Sequence, residues 1–138
     1  MLKVLVCCMG GFSSSAMIRT LKQNIIDTGY SDKMAVEFHG FSTCYEVMND
    51  YDIIMTCPHL KYSVPEFIQK HDPAMPIYVL PPKVYGSMTA EIIYEDACDI
   101  LEEYKKNPKN PFCFEGEENN LRIKRRCSHR QWINGEGK

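Results

Sequence analysis

The stretch Lys3–Ser15, KVLVCCMGGFSSS, constrains this 138-residue chain more than any other. An apolar run leads straight into Cys7 and Cys8, then Gly10 and Gly11, then Ser13, Ser14 and Ser15, and a helical pattern follows. This order suits a strand that delivers a cysteine to the edge of a sheet, before a loop and a helix that starts there. The first N–H groups of a helix lack intrahelical partners, and its dipole favours negative charge at that end. Gly10 and Gly11 let the loop wrap an anion with N–H groups turned inward. The serines add hydroxyl donors, and one of them can cap the helix. Together these groups lower a thiol below its free pKa of roughly 8.5 and favour the thiolate.

Cys7 and Cys8 compete for the nucleophile's place. Neighbours in a strand face opposite sides. Cys7 continues the buried run and is expected to pack, whereas Cys8 stands nearer the glycines and is the favoured nucleophile. Burial as a small hydrophobe is the commonest fate of a free cysteine. The glycine–serine loop argues against that fate for one of the pair.

Short apolar runs alternate with helical patterns. Strands are expected at Leu2–Cys8, Ala35–His39, Asp52–Thr56 and Ile77–Leu80. Helices are expected at Ser14–Thr28, with Leu21, Ile25 and Ile26 on its apolar positions, at Thr43–Asn49, at Val64–Lys70, where Pro65 fits the first turn, and at Ala90–Lys106. The fold class is α/β: an open four-stranded parallel sheet with helices on both faces, phosphatase-like or flavodoxin-like in its three layers, with a C-terminal extension. Ligands of such sheets bind beyond the carboxyl ends of the strands. The loops starting at Cys8, Cys57 and Pro81 should meet there.

Residues 1–106 are expected to form the domain and 107–138 an extension. The extension opens with Pro108 and Pro111, then carries Glu115, Glu117 and Glu118, then Arg122, Lys124, Arg125, Arg126 and Arg130. Its pattern suits a solvated terminus outside the core, or a docking segment for a protein partner or anionic headgroups. The net charge of −2 argues against nucleic-acid binding. The apolar start is too short for a signal peptide, and no stretch reaches the roughly 20 apolar residues of a membrane span. Seven cysteines, none in a Cys-x-x-Cys pair, point to a reducing compartment rather than a disulfide framework. Cys113, Cys127 and His129 fit no zinc spacing, and nothing suggests a metal or other cofactor.

The segment Cys8-Met9-Gly10-Gly11-Phe12-Ser13-Ser14-Ser15 resembles the Cys-x-x-Gly-x-Ser-Thr/Ser-Ser phosphate loop of enzyme IIB. This is the lactose/cellobiose-type component of the bacterial phosphoenolpyruvate-dependent sugar phosphotransferase system (PTS). Asp52–His59 is similar to the family's Asp, apolar strand and Gly-Pro-Gln segment, with Cys57 and His59 in place of its glycine and glutamine. Tyr85-Gly86 falls where the family has Tyr-Gly. The resemblance spans roughly residues 1–106. It implies a phosphocarrier: Cys8 accepts a phosphoryl group from a phosphohistidine on a IIA protein and passes it to a sugar held by the membrane component IIC. Met9 to Ser15 would hold the phosphoryl oxygens, and Pro58, His59, Tyr62 and Tyr85 would border the site. The resemblance also implies a cytoplasmic protein, peripheral to the membrane through IIC and not inserted in it.

Two other readings are open. A low-molecular-weight phosphatase or arsenate reductase would use Cys-x5-Arg, but the arginine position is Ser14 counted from Cys8 and Ser13 counted from Cys7. Without arginine, hydrolysis lacks its bidentate clamp. Asp72-Pro73, the candidate general acid of that reading, has the pattern of a turn. A non-enzymatic redox or regulatory domain using Cys7 and Cys8 would not need the glycine–serine loop.

Overall fold

The computed structural model describes residues 1–8, 12–86, 88–115, 117, 123, 125 and 127–135, with backbone alone for Cys8 and residues 12–18. Four strands, β1 (Leu2–Cys8), β2 (Met34–Gly40), β3 (Ile53–Thr56) and β4 (Ile77–Val79), form one parallel sheet in the order β2-β1-β3-β4. The helices are α1 (Phe12–Asp27), α2 (Val64–His71), α3 (Pro82–Tyr85), α4 (Ala90–Lys106) and α5 (His129–Ile133). The expected α/β class, parallel sheet and strand positions hold. The helix expected at Thr43–Asn49 is instead two 3₁₀ turns, Cys44–Glu46 and Met48–Asp50. The Val47 N–H bonds the Cys44 carbonyl and the Tyr51 N–H the Met48 carbonyl, so each turn closes on an i to i+3 bond and the two do not run on as one α-helix.

Right-handed crossovers place the connections on two faces, because the chain steps one way from β1 to β2 and the other way from β2 to β3 to β4. On one face α1 packs against α4, with the Tyr30 and Tyr94 rings 5.2 Å apart. On the other face the 3₁₀ turns meet α2 through Phe41 on Phe67, and Tyr45 stacks on His71 at 4.3 Å. Val4, Leu5, Val6, Ile53, Ile54 and Met55 are all buried, as expected of a sheet covered on both faces.

Helix α1 starts at Phe12, two residues before the expected Ser14. It buries Leu21 and Ile25, while Ile26 is exposed, contrary to expectation. It ends in a Schellman motif: Gly29 has φ +79°, its N–H bonds the Ile26 carbonyl, and the Tyr30 N–H bonds the Ile25 carbonyl. Asn24 Oδ1 accepts from the Ala90 N–H at 2.7 Å, so a side chain of α1 binds the first N–H of α4. Thr89 caps the same helix through its Oγ1.

The chain beyond α4 is not wholly outside the core. Phe112 and Phe114 are buried and stack edge-on against each other and against Tyr78 of β4. The outer backbone of β4 is bonded by this segment: Asn110 Oδ1 accepts from the Ile77 N–H, and the Phe112 N–H donates to the Ile77 carbonyl. Arg125 is fully buried. It makes two hydrogen bonds to the Glu117 carboxylate (2.7 and 3.0 Å) and one each to Asp96 of α4 (3.1 Å), the Tyr78 hydroxyl (2.8 Å) and the Cys127 carbonyl (2.7 Å). Arg130 pairs with Asp99 of α4, and Ser128 Oγ donates to Glu95. Two cations of the basic stretch are therefore bound to the acidic face of α4, rather than free for lipid or a partner. Arg122, Lys124 and Arg126 lie outside the described residues.

Two carboxylates share the Arg125 guanidinium. Burial works against the charge on Arg125, but the bonds from Glu117 hold its pKa above the ordinary value. Burial outweighs Arg125 and the His129 N–H at Asp96, and pushes its pKa from 3.8 to about 6. Replacing Arg125 by Met leaves the buried Asp96, and Glu117 beside it, without their cation. Urea denaturation should show a loss of about 3–5 kcal/mol, the usual cost of removing one partner of a buried pair. The raised pKa of Asp96 makes the folded chain hold a proton that the unfolded chain has lost between pH 3.8 and about 6. Stability from this group is complete below about pH 4 and is lost as pH rises through 6. Wild type should therefore lose stability relative to Asp96→Asn between pH 4 and 7. Equal slopes in urea series over that range would contradict the assignment.

Candidate functional site

The site is built at the carboxyl edge of the sheet, where the strand order turns. From β1 the chain goes to β2 on one side, and β3 lies on the other. Cys8 is the last residue of β1, paired with Gly40 of β2. Only three residues separate it from Phe12, the first of α1. So short a connection brings the N-terminus of a 16-residue helix back to the strand end, with its dipole toward the cysteine. Phe12, Ser13, Ser14 and Ser15 form the first turn of α1 rather than a loop before it, so their N–H groups are the ones without intrahelical partners. The capping position precedes them. Met9, Gly10 and Gly11 lie outside the described residues.

Cys7 is fully buried and pairs with His39 on one side and Thr56 on the other. Its thiol lies in hydrogen-bond contact with that of Cys44, on the face of the 3₁₀ turns. The hydrogen bond from Cys7 holds Cys44 below its ordinary pKa, against the opposing effect of burial. Cys7 is thus part of the packing under the edge, as its strand position predicts. Cys57 is buried too, and its N–H donates to the Cys7 carbonyl at 3.1 Å, continuing the β1–β3 ladder past the last residue of β3.

The border candidates follow β3 and β4. Pro58 and His59 open a 3₁₀ turn, His59 is exposed, and Tyr62 just beyond it is 84% exposed. Tyr85 ends α3 and packs partly buried against the core. In a parallel sheet these loops leave from the same edge as Cys8. Asp72 is elsewhere: it follows α2 with φ +42° and precedes β4, at the opposite edge. This placement leaves the phosphatase reading without its candidate acid. His39 bonds the Thr43 hydroxyl at 2.9 Å, and His129 stacks on Phe114 at 4.1 Å. Among the described residues no cluster of metal-ligating side chains occurs.

One feature of the edge has no signature in the sequence. Thr56, across the ladder from Cys7, is fully buried, and its hydroxyl has no hydrogen-bond partner among the described residues.

The domain is a doubly wound α/β fold whose first strand ends in a cysteine, with three residues between it and a helix N-terminus, at the turning point of strand order. The family model of the "PTS system, Lactose/Cellobiose specific IIB subunit" matches residues 3–96, and the chain belongs to that family. Its fold is similar to the lactose-specific IIB component domain of the phosphoenolpyruvate:carbohydrate phosphotransferase system from Streptococcus pneumoniae. The TM-score is 0.51 at 17% identity, over 78% of this chain and 98% of that one. No curated protein matches. The chain is therefore a sugar phosphotransfer IIB domain, a family that partners IIA and IIC components. Among the described residues no helix is long and apolar enough to cross a membrane.

Thr56→Val keeps the shape of the side chain and removes the unpaired hydroxyl. It should leave stability unchanged or raise it by about 1 kcal/mol, because an unsatisfied buried polar group is costly. A loss beyond about 1 kcal/mol in urea denaturation would mean that the hydroxyl has a partner, since losing a typical hydrogen bond costs that much.

Proposed function

We propose that Cys8 is the phosphocarrier residue of this IIB domain. The observation that carries the reading is its position: the last residue of β1, an inner strand of the sheet, with three residues between it and α1. In the first transfer the Cys8 thiolate attacks the phosphorus of a phosphohistidine on the IIA protein. The N–P bond breaks, an S–P bond forms, and the histidine leaves neutral. In the second, a hydroxyl of the sugar held by IIC attacks, the S–P bond breaks, and the thiolate is restored as the hydroxyl proton is lost. The backbone from Met9 to Ser15 would hold the three equatorial oxygens through both steps, with the α1 dipole offsetting their charge. Pro58, His59, Tyr62 and Tyr85 would border the transfer. The domain would work in the cytoplasm, held at the membrane through IIC. The Ser13 and Ser14 positions give the loop no guanidinium, which suits a carrier whose phosphocysteine must outlast the wait for its acceptor.

Intact-mass spectrometry after incubation with phosphoenolpyruvate, enzyme I, the histidine carrier protein and a lactose/cellobiose-type IIA tests this. Wild type and Cys7→Ser should each gain one phosphoryl group, and Cys8→Ser none. A gain kept in Cys8→Ser and lost in Cys7→Ser would move the role one residue back.

A further inference from the structure

The phosphocarrier role uses one cysteine, and three others, Cys7, Cys44 and Cys57, are buried around the strand end that carries it. Cys7 precedes Cys8 in β1, and its thiol is engaged by that of Cys44 on the face of the 3₁₀ turns. Cys57 is the first residue beyond β3, and its backbone is extended, with φ −67° and ψ 156°. In the β1–β3 ladder Cys7 lies opposite Thr56, and the Cys57 N–H donates to the Cys7 carbonyl at 3.1 Å. That bond carries the register one step past the last residue of β3. It places Cys57 opposite Cys8.

Neighbouring strands run about 4.8 Å apart. A disulfide spans roughly 4.4–6.8 Å between Cα atoms, so residues opposite each other in adjacent strands are within its reach. Successive residues of a strand alternate between faces, and opposite residues share one. Cys57 therefore takes the register position on the face of Cys8, while Cys7 and Thr56 take positions on the other. Cys8 and Cys57 both stand at strand ends, so drawing them together bends the ends of the chain and leaves the interior of the ladder intact. The vicinal pair Cys7–Cys8 closes only as a strained bridge. Cys57 is 2% exposed, so a dissolved oxidant has little access to it, whereas a neighbour across the ladder meets it directly.

We propose that Cys57 is the resolving cysteine of Cys8, and that the two form a reversible disulfide in response to a hydroperoxide. The proposal rests on the phosphocarrier reading in taking Cys8 as the reactive thiolate. The Cys8 sulfur attacks the terminal oxygen of the hydroperoxide, the O–O bond breaks, and the alkoxide or hydroxide leaves and takes up a proton. Cys8 is then a sulfenic acid. The Cys57 sulfur attacks the Cys8 sulfur, an S–S bond forms, the S–O bond breaks, and the hydroxyl departs as water with the Cys57 proton. A dithiol reductant returns both thiols and is itself oxidised to a disulfide. While the bridge stands, Cys8 has no thiolate to offer a phosphohistidine. It is also spared sulfinic acid, which thiols do not reverse. A transient bridge of this kind fits a reducing compartment, where disulfides are catalytic or redox-sensing.

Treating the reduced full chain with a small excess of hydrogen peroxide, then reading its intact mass before and after alkylation of the denatured protein, tests this. Wild type should become about 2 Da lighter, the mass of the two hydrogens lost, and shield two of its seven cysteines from alkylation. Dithiothreitol should undo both changes. Cys57→Ser should form no bridge and gain about 32 Da, the two oxygens of a sulfinic acid, which dithiothreitol does not remove. Phosphoryl uptake from phosphorylated IIA should be lost in oxidised wild type and return with dithiothreitol, but not return in oxidised Cys57→Ser. Fragmentation of the bridged peptides from wild type assigns the two sulfurs. A bridge between Cys7 and Cys44 alone, a bridge that persists in Cys57→Ser, or sulfinic acid at Cys8 of wild type without a bridge would each overturn the proposal. The bridge is read without any donor protein. Its formation in a chain that takes no phosphoryl group when reduced would end the phosphocarrier reading and leave the bridge standing.

Discussion

Strand β1 is hydrogen-bonded on both sides, to β2 along its whole length and to β3 from Val4 to Cys7. A strand so held cannot shift by one residue without turning its buried side chains to the wrong face and breaking two ladders. The position of Cys8 follows from that constraint, and so does the start of α1. The thiol contact between Cys7 and Cys44 and the bond from the Cys57 N–H fix the last turns of chain under the edge. The edge can therefore be rigid where the connection to α1 is short. Phosphoryl transfer needs mainly positioning and offset of charge, and a rigid strand end suits it.

The C-terminal segment is joined to this frame through α4. Arg125 ties Glu117, Asp96 and Tyr78 together without exposure to water, so a helix, a strand and the segment share one cation. Such a cluster gains little net stability over an apolar equivalent, but it admits few alternative arrangements. It holds the segment in which Phe112 and Phe114 sit against β4.

Much of the fold was legible because hydrophobic runs in a two-faced parallel sheet are continuous and short, and the patterns at Leu2–Cys8 and Ala90–Lys106 left little choice. The Thr43–Asn49 segment misled because Tyr45, Val47 and Met48 have helical spacing, while the chain there forms two separate 3₁₀ turns that meet at Val47. The C-terminal segment was misjudged for a different reason. Its charges read as solvated when taken alone. Glu91, Glu95 and Asp99 recur every four residues along α4, so they share a helix face, and a basic stretch further on could have been matched to that face. The burial of Arg125 beside Asp96 still had no local signature, since it depends on a contact 29 residues away. The motif at Cys8 located a strand end and a helix just beyond it, but the serines belong to the first turn of that helix, and Met9, Gly10 and Gly11 lie outside the described residues.

The bonds from Asn110 and Phe112 to Ile77 leave the sheet lopsided. An outer strand with free backbone groups is a template on which another chain can add itself. At β4 the protein's own C-terminal segment already occupies part of that place. The open flank is β2, where Glu37 is exposed and paired with Lys22 at 3.0 Å. Charge at the middle of a bare strand discourages a second strand from lying against it. One flank is thus closed by chain and the other by charge, and the molecule can meet its partners through the ends of its strands rather than through their sides.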